Sequence, residues 1–290
     1  MKPKFIILTP VYNDWVNLNK LLIKINNIFV TKIKQKIDLI VIDDFSSQKS
    51  LLKKSKFKSI KNFKILRNSK NLGSQRSIAI GLKYIKKFYS NNYRIIIIDS
   101  DGQDNPAGIL KLINKHRDTN NSIFAKRGQR KEVLWFKIFY EIYCILTFLI
   151  SFKKIRFGNF SLLKFNDLKK ILNDGNLWNA FPPSLALNLN KISSITIDRE
   201  KRYSGNSKIN FFGLVYHALR VFSVLRFEIL KFSIIYSTII YFIFKNYVFF
   251  TIFLFFLCLL NISNFSLALF NKKKLNENFD KIKIHNSSNS

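Results

Sequence analysis

The stretch Ile95–Pro106, IIIIDSDGQDNP, sets an uninterrupted apolar run directly before a cluster of acidic residues. Four consecutive isoleucines are typical of a strand buried on both faces, as in a parallel sheet. Asp99 and Asp101 follow at positions i and i+2, so in extended chain their carboxylates point to the same side. With the Gln103 amide, this oxygen-rich cluster suits Mg²⁺ or Mn²⁺ completed by substrate phosphates. A lone Asp-x-Asp is commonly a turn, and the apolar strand before it favours the metal site.

Short apolar runs alternate with segments of helical periodicity from Met1 to about Asn121. This alternation predicts an α/β fold with a Rossmann-like, mostly parallel sheet covered by helices on both faces. Such sheets bind ligands at the carboxyl ends of their strands, where the polar motifs of this chain fall. The predicted strands are Phe5–Leu8, Ile37–Ile42, Phe63–Leu66, Arg94–Ile98 and Ile123–Ala125, and the predicted helices are Asp14–Phe29, Asn71–Phe88 and Pro106–His116, the last capped by Asn105.

A second acidic pair, Asp43 and Asp44, also ends an apolar run, in LIVIDDFSS. In a doubly wound sheet this pair would lie near TPVYND, which follows the first apolar run. There Pro10 fixes the exit of the chain, and Tyr12 offers a ring for stacking on a base. A carboxylate from Asp14 or Asp43 can accept hydrogen bonds from base N–H groups. Taken singly, each of these motifs also fits a helix cap or a turn.

The composition combines strong positive charge with a high apolar content. The 290 residues include 49 Lys and Arg against 17 Asp and Glu, a net charge of +32, and 48% are hydrophobic. A chain this apolar can bury enough surface to fold, which excludes an intrinsically disordered protein. Lys, Ile, Asn and Phe are over-used together, which indicates a chain-wide bias, and no nucleic-acid partner is predicted. The 2 cysteines predict neither a disulfide framework nor a zinc site.

Apolar segments dominate the chain after Phe227. Tyr247–Asn271 carries no charge and, at about 1.5 Å per residue, is long enough to cross a hydrocarbon core of about 30 Å. Phe232–Phe244 reaches that length only with its preceding residues and a snorkelling Lys231. A single span would leave the KKK triplet after the apolar region outside, whereas a hairpin keeps it inside, as the positive-inside bias prefers. We therefore predict a two-helix transmembrane hairpin over 227–271, with a single span as the alternative.

Residues 1–226 are predicted to form one cytoplasmic domain, since the start of the chain lacks the apolar core of a signal peptide. Residues from about 135–152 predict an amphipathic helix in the membrane interface, because Lys137 and Glu141 share one face; a core helix of the domain is the alternative. The polar tail, 272–290, is predicted to be cytoplasmic and disordered. The expected location is the cytoplasmic (inner) membrane, multi-pass, with the domain facing the cytoplasm.

Four motifs occur in a fixed order along the chain: TPVYND, VIDDFSS, NLGSQRSIAIGL and IIDSDGQDNP. In this order and spacing they resemble the GT-A glycosyltransferases of family 2, which use nucleotide-diphospho-sugars. The later motifs KRGQRKE, GNFSLLK and REKRYSGNSKINFFGL, followed by the apolar hairpin, resemble the dolichol-phosphate mannose synthase-like and bactoprenol glucosyltransferase-like branch. The likeness extends to about Phe270.

The resemblance implies an inverting, metal-dependent transfer of a sugar from a nucleotide-diphospho-sugar to polyprenyl phosphate at the cytoplasmic membrane face. It implies Mg²⁺ or Mn²⁺ as cofactor and membrane lipid as a partner, and it leaves a homo-oligomer open. By position it assigns nucleotide-sugar contacts to Pro10, Tyr12, Asp14, Asp43, Asp44 and Gln103, metal contacts to Asp99, Asp101 and Gln103, and contacts with the acceptor phosphate to Arg127, Arg130, Arg202, Ser207 and Lys208. The implied catalytic set is Asp99, Asp101, Arg127, Arg130, Arg202 and Lys208.

The chemistry of a lipid phosphate supports this branch independently. The nucleophile is already anionic, so the reaction needs no strong general base and depends on bringing two phosphate-bearing substrates together. Anchoring to anionic lipid is the alternative interpretation of Arg127 and Arg130. A second function is a family 2 transferase acting on a hydroxyl of a glycan or glycolipid in cell-envelope polysaccharide synthesis, which would need a base such as Asp167 or Asp174. A non-catalytic membrane-surface or nucleic-acid-binding protein would use charge alone, which does not account for the ordered motifs.

The chain departs from the family pattern at several positions. Phe45 stands where the pattern has Gly after the acidic pair, which predicts a reshaped base pocket. Asn159 replaces an acidic or small residue, Ser161 replaces an Arg, and Ile209 replaces a Tyr. Sugar identity is therefore not carried over from the resemblance.

Overall fold

The computed structural model of the protein describes residues 3–50, 52–128, 134–152, 157–173, 175–205, 211–243, 247–271 and 274–286. Its strands are β1 (Lys4–Val11), β2 (Ile37–Asp43), β3 (Ile60–Arg67), β4 (Tyr93–Ile97), β5 (Ser122–Arg127), β6 (Phe157–Lys164), β7 (Ile192–Ile197) and β8 (Lys283–Asn286). Its α-helices are α1 (Trp15–Ile28), α2 (Ser74–Phe88), α3 (Gly108–Thr119), α4 (Leu134–Ser151), α5 (Phe165–Asn173), α6 (Phe181–Asn188), α7 (Phe211–Val224), α8 (Arg226–Ile243), α9 (Tyr247–Asn271) and α10 (Lys274–Phe279).

The strands form one sheet in the order β7-β5-β6-β4-β1-β2-β3-β8. β4, β1, β2 and β3 run parallel to one another, as do β5 and β7, while β6 and β8 are antiparallel to their neighbours. The predicted α/β class and mostly parallel sheet are confirmed, and each of the five predicted strands is present within a residue or a few of its expected bounds. β6, β7 and β8 were not predicted as strands.

Helices cover both faces of the sheet, which explains the apolar runs. Ile7 of β1 belongs to the layer that includes α1 and α3, and the next residue, Leu8, belongs to the layer that includes α2 and α5. Successive strand side chains point to opposite faces, so both faces of β1 need apolar residues. Burying one such side chain fully contributes about 1.5–3 kcal/mol. The two hydrophobic layers therefore fix the positions of the strands and of the polar residues at the strand ends.

The third helix begins two residues later than the sequence predicts. The Asn105 side chain accepts a hydrogen bond from the Ala107 backbone N–H at 2.9 Å. Its carbonyl also accepts from the Gly108 N–H at 2.9 Å. Asn105 and Pro106 thus form a turn that leads into α3, rather than its first helical residues.

The C-terminal helices carry the most exposed apolar surface. Within the described residues, one helical region, which begins at Tyr247, is long and apolar enough to cross a membrane by length and composition. Its most apolar window has a mean hydropathy of 2.2 and is 6% buried. α8 packs along it, with Asn261 Nδ2 donating to Ser233 Oγ at 2.9 Å. α4 packs on α8, where the Phe152 and Phe232 rings stack with centroids 4.4 Å apart.

The tail returns to the domain after α9. The prediction of a disordered tail is wrong for residues 274–286, which form α10 and β8. Leu275 and Phe279 of α10 are buried in the α2 layer, and β8 pairs antiparallel with β3. The tail is ordered because its two apolar side chains fit that layer and the β3 edge offers free backbone groups to a further strand.

Candidate active site

Three adjacent strands bring the predicted polar motifs to one edge of the sheet. β4, β1 and β2 are neighbours and run in the same direction, so their carboxyl ends lie side by side. The backbone continues the pairing beyond the strands, because Asp44 N donates to Val11 O at 2.8 Å and Ile98 N donates to Leu8 O at 3.1 Å. The segments after Val11, after Asp43 and after Ile98 therefore meet, as the sequence analysis predicted.

The first two of these segments are locked together by side chains. Asn13 Oδ1 accepts hydrogen bonds from Ser47 N at 2.8 Å and from Gln48 N at 3.2 Å, and Asn13 N donates to Ser46 Oγ at 2.9 Å. Asn13 has φ +48°, a conformation that asparagine tolerates well. Tyr12 is 39% exposed beside this turn, and its proposed stacking on a base stays a prediction.

The family pattern has a glycine where this chain has Phe45, and the backbone there explains why. Phe45 has φ +66°, in the left-handed region that favours glycine. Its ring is 48% exposed, and the Arg67 guanidinium lies 5.4 Å from the ring centroid. The cation–π contact contributes about 0.5–1 kcal/mol at an exposed site, which offsets part of the cost of the left-handed conformation.

Asp43 and Asp44 are neighbours in sequence but face different groups. Asp43 accepts hydrogen bonds from Arg67 Nη1 at 2.6 Å and from Ser46 N at 2.8 Å. Asp44 is 3% exposed and accepts from the Leu72 and Gly73 backbone N–H groups at 2.8 and 2.7 Å. Burial raises the pKa of Asp44, and the hydrogen bonds from Leu72 and its neighbours oppose that shift. Asp44 therefore holds the turn before α2, and its assignment as a nucleotide contact stays a prediction.

Asp99 is held by a chain of side-chain amides. Asn159 Nδ2 donates to Asp99 Oδ1 at 3.0 Å, and Asn159 Oδ1 accepts from Gln75 Nε2 at 2.8 Å. Gln75 Oε1 in turn accepts from the Phe181 backbone N–H at 2.9 Å. This chain fixes the orientation of the Asp99 carboxylate and links it to the start of α6. An acidic residue in place of Asn159 could not donate to Asp99.

The segment after β7 crosses the acidic edge; we call Arg199–Gly205 the covering segment. Arg202 Nη2 donates to Asp14 Oδ2, and Arg202 Nη1 lies 3.5 Å from Asp101 Oδ2. One guanidinium therefore links the carboxylates that follow β1 and β4. Bidentate use of its planar fork suits arginine at this position.

Other contacts hold the covering segment against the Asp101 turn. Arg199 Nη2 donates to Gln103 Oε1 at 2.8 Å, and Glu200 N donates to Gln103 O at 2.9 Å. Gly102 has φ +78°, and a Cβ at this position would lie 2.3 Å from the Tyr203 ring. The Tyr203 ring therefore packs directly on the Gly102 backbone, which only glycine allows.

The acidic edge fits a divalent metal that is completed by a substrate. Asp99 and Asp101 supply two carboxylates, and the described residues contain no cluster of three or more His, Cys, Asp or Glu that could hold a metal by itself. Mg²⁺ and Mn²⁺ sites of this class commonly use one or two carboxylates, with substrate phosphates and water as the other ligands. The Gln103 amide oxygen is engaged by Arg199, so its predicted role at the metal stays a prediction.

Several predicted phosphate contacts lie outside the described residues, namely Arg130, Ser207 and Lys208. The backbone of Arg127 ends β5, where it pairs with Ile197, and its side chain is outside the description. The sequence motifs predict no role for Arg67, Gln75, Arg199 or Tyr203. Gln75 and Asn159 lie within motifs quoted above, but nothing in the sequence pairs two residues that are 84 positions apart.

Asp167, proposed as a base for a hydroxyl acceptor, lies at the opposite edge of the sheet. It follows β6, whose Lys164 pairs with Arg94 near the start of β4. Asp99 lies five positions after Arg94, which is about 17 Å of extended strand. Asp167 accepts a hydrogen bond from Ser122 Oγ at 2.7 Å. Its position is therefore wrong for a base beside Asp99, and Asp174 is outside the described residues.

Known proteins resemble both the sequence and the fold. An uncharacterized glycosyltransferase of Synechocystis sp. is 26% identical over 221 residues, which cover 73% of this chain and 66% of that protein. An uncharacterized protein of Methanocaldococcus jannaschii is 30% identical over 158 residues, which cover 52% of this chain and 66% of that protein. The chain thus spans just under two thirds of the length of these relatives.

Solved structures share the fold at low identity. Glucosyl-3-phosphoglycerate synthase from Mycobacterium tuberculosis, in complex with UDP, has a TM-score of 0.53 and 11% identity, covering 78% of this chain and 80% of that one.

Residues 6–172, which are more than half of the chain, match the family described as glycosyl transferase family 2. The expected GT-A fold and transferase family are confirmed by this match. The chain belongs to glycosyl transferase family 2.

Proposed function

We propose that the protein is an inverting, metal-dependent glycosyltransferase that moves a sugar from a nucleotide-diphospho-sugar to polyprenyl phosphate at the cytoplasmic membrane face. The order of its motifs supports the dolichol-phosphate mannose synthase-like and bactoprenol glucosyltransferase-like branch. In this reaction a phosphate oxygen of the lipid attacks the anomeric carbon. The bond from that carbon to the diphosphate oxygen breaks, and the nucleoside diphosphate leaves with the bonding electrons.

The observation that carries this proposal is the connection between Asp99 and the apolar helices. The amide chain from Asp99 through Asn159 and Gln75 ends at Phe181 N, the first residue of α6. α6 contacts α7, and α7 contacts both α8 and α9, whose apolar side chains are widely exposed. An acceptor carried by lipid would thus reach the carboxylate edge from these helices, whereas a soluble acceptor would need no such neighbour.

The return of the tail supports a hairpin rather than a single span. Near the start of α8, Arg226 Nη1 donates to Asn176 Oδ1 at 2.5 Å. At the end of α9, Asn271 is buried, and α10 then packs against α2. Both ends of the α8–α9 pair are thus held by the same domain, which favours two spans and a domain on one side. With the positive-inside bias, that side is the cytoplasm.

Asp99 and Asp101 would hold Mg²⁺ or Mn²⁺, which when bound supplies positive charge to the leaving diphosphate. The complex of the M. tuberculosis synthase with Mn²⁺, UDP-glucose and glycerol 3-phosphate supports a metal and a nucleotide-sugar donor here, at a TM-score of 0.51 and 12% identity. Asn159 orients Asp99 by the hydrogen bond described above.

The remaining roles follow from charge and position. Pro10, Tyr12 and Asp43 border the turn proposed to receive the nucleotide. Arg202, which forms ion pairs with Asp14 and Asp101, can exchange these contacts for oxygens of the acceptor phosphate without leaving its place. Arg127, Arg130, Ser207 and Lys208 are proposed to contact the acceptor phosphate. No strong general base is needed, because the attacking phosphate oxygen is already anionic.

The test is to incubate membranes that contain the protein with a panel of labelled nucleotide sugars and to extract the lipids. We expect one label to enter a lipid that releases its sugar in mild acid, and the transfer to stop when the divalent metal is chelated. Label that enters only a glycan or an acid-stable glycolipid would overturn the assignment of polyprenyl phosphate and would favour a hydroxyl acceptor.

A further inference from the structure

Two arginines from distant parts of the chain contact the same residue, Trp178. Arg220 of α7 donates from Nη2 to the Trp178 carbonyl at 3.0 Å, and the Arg76 guanidinium of α2 lies 5.3 Å from the Trp178 ring centroid. Both also contact Tyr216. Arg76 Nη2 lies 3.5 Å from the Tyr216 hydroxyl, and the Arg220 guanidinium lies 5.9 Å from the Tyr216 ring centroid.

In the part of the chain that the structure describes, no carboxylate pairs with either of these two cations. Among the described residues neither arginine forms an ion pair, and the Nε atoms of both are buried without a hydrogen-bond partner. Arg220 is 6% exposed, and burial, together with the charge of Arg76, lowers its pKa to about 10. Burying a charge is costly unless it is paired and hydrogen-bonded. Two adjacent cations with free N–H groups therefore need an anion.

Within the described part of the chain, polar groups of Trp178 and of the next residue, Asn179, also lack hydrogen-bond partners. The indole Nε1 of Trp178 and both amide atoms of Asn179 are buried without partners among the described residues. Asn179 is 0% exposed, so its amide lies within the protein. Buried polar groups are usually hydrogen-bonded, and a group of them beside two guanidinium ions is typical of a ligand site.

The pair connects α2, which carries Gln75, with α7, which contacts the apolar helices α8 and α9. Arg76 directly follows Gln75, which belongs to the amide chain that holds Asp99. Arg220 is on α7, near its junction with α8. Val215, Tyr216 and Leu219 are exposed at 44%, 47% and 39%, so the helix that carries Arg220 also presents apolar surface.

We propose that Arg76 and Arg220 form an anion site that holds the phosphate of the lipid acceptor. This inference rests on the proposed function and adds two residues that the family motifs did not single out. A phosphate monoester carries up to two negative charges, which match the two guanidinium ions, and its oxygens accept hydrogen bonds in the fork geometry of arginine. The lipid chain would lie along the exposed residues of α7.

The experiment measures binding without turnover. Full-length protein in detergent micelles is titrated with farnesyl phosphate by calorimetry, with farnesol, inorganic phosphate and phosphatidylglycerol as comparison ligands. Arg76→Gln and Arg220→Gln should each weaken farnesyl phosphate binding at least tenfold, and Arg220→Lys should weaken it less than Arg220→Gln. Arg117→Gln, an exposed arginine on α3, should leave it unchanged.

If Arg220→Gln does not fold, Arg76→Gln still tests the site. Arg76 is only half-buried, so we expect this variant to fold. Binding by Arg76→Gln within twofold of the native protein would overturn the site. Equal affinity for inorganic phosphate would overturn the lipid assignment, and equal affinity for phosphatidylglycerol would overturn it in favour of general membrane anchoring.

Donor binding is measured separately with a nucleotide sugar and Mn²⁺. If the native protein fails that assay, the proposed function fails, while the farnesyl phosphate titration still decides the anion site.

Discussion

At the two edges of the central sheet, the charged residues have partners at different distances along the chain. At the carboxyl edge, Asp14 and Asp101 share Arg202, which is 188 and 101 positions away in the chain. At the amino edge, His116 binds Arg94 and Asn121, which are 22 and 5 positions away. The carboxyl edge is assembled from distant segments whose contacts can be exchanged for ligands. Around His116, the amino edge is closed by contacts between residues that are nearer in sequence, and these contacts stabilise the fold.

His116 illustrates the closed edge. Arg94 Nε donates to His116 Nε2 at 2.8 Å, so Nε2 is the acceptor and Nδ1 carries the proton, which it donates to Asn121 O at 2.7 Å. The ring is therefore neutral, and burial lowers its pKa from the usual value. We expect substitutions at the carboxyl edge to change activity and substitutions at the amino edge to change stability.

The largest expected effect is on activity, from Asp101→Asn. This change removes one of two carboxylates proposed to hold the metal, and loss of one electrostatic contact to a transition state typically costs about 10²–10³-fold in kcat. Transfer of labelled sugar to lipid by folded, membrane-localised protein is the measurement. Asp118→Asn, an exposed carboxylate on α3, is the matched control and should keep native activity. Native activity of Asp101→Asn would remove the metal role from this residue.

Asn159→Ala tests the orientation of Asp99. Loss of a group that orients a metal ligand typically lowers metal affinity or activity by about 10–100-fold. We therefore expect a higher Mn²⁺ or Mg²⁺ concentration for half-maximal activity, measured by metal titration. Asn114→Ala on the exposed face of α3 is the control. An unchanged metal requirement would mean that Asp99 does not need this hydrogen bond.

Gly102, which packs under the covering segment, and Gly205, which ends it, separate backbone strain from packing. Gly102 and Gly205 have φ +78° and +75°, but a Cβ would strike Tyr203 only at Gly102, and nothing lies within 4 Å of one at Gly205. Gly205→Ala should cost about 1 kcal/mol from the left-handed backbone alone. Gly102→Ala should cost about 1–3 kcal/mol more, because the ring must move. Chemical denaturation of both variants gives the comparison, and equal losses would contradict the Tyr203 contact.

The smallest expected effect is a pH dependence of stability from the amino edge. The pKa of folded His116 is lowered, whereas in the unfolded chain it is about 6.5, so the unfolded chain binds the proton first as pH falls. The free energy of unfolding should therefore have its full value above about pH 6.5 and should decrease as the pH falls below that value. Denaturation midpoints at several pH values measure this decrease, and His116→Gln should flatten it. A native midpoint that rises below pH 6.5 would have the wrong sign.

Much of the fold could be predicted because its signals are local. β1, β2 and β4 each contain an apolar run, Phe5–Leu8, Leu39–Ile42 and Ile95–Ile97, and such runs are typical of strands buried on both faces. β7 and the tail were missed for the opposite reason. β7 reads ISSITI, which is half polar, and β8 has only 4 residues, so pairing with a neighbour decides their structure.

The sequence by itself determined the α/β class, the carboxylates at the strand ends, the family motifs and the apolar C-terminal region, because each depends on residues that are close in the chain. Only the tertiary structure decided which side chains meet at those strand ends. It brought Arg202 to Asp14 and Asp101, Asn159 to Asp99, and Arg76 to Arg220. Such contacts join segments whose separation in sequence carries no signal, since sheet order and helix packing alone bring them together.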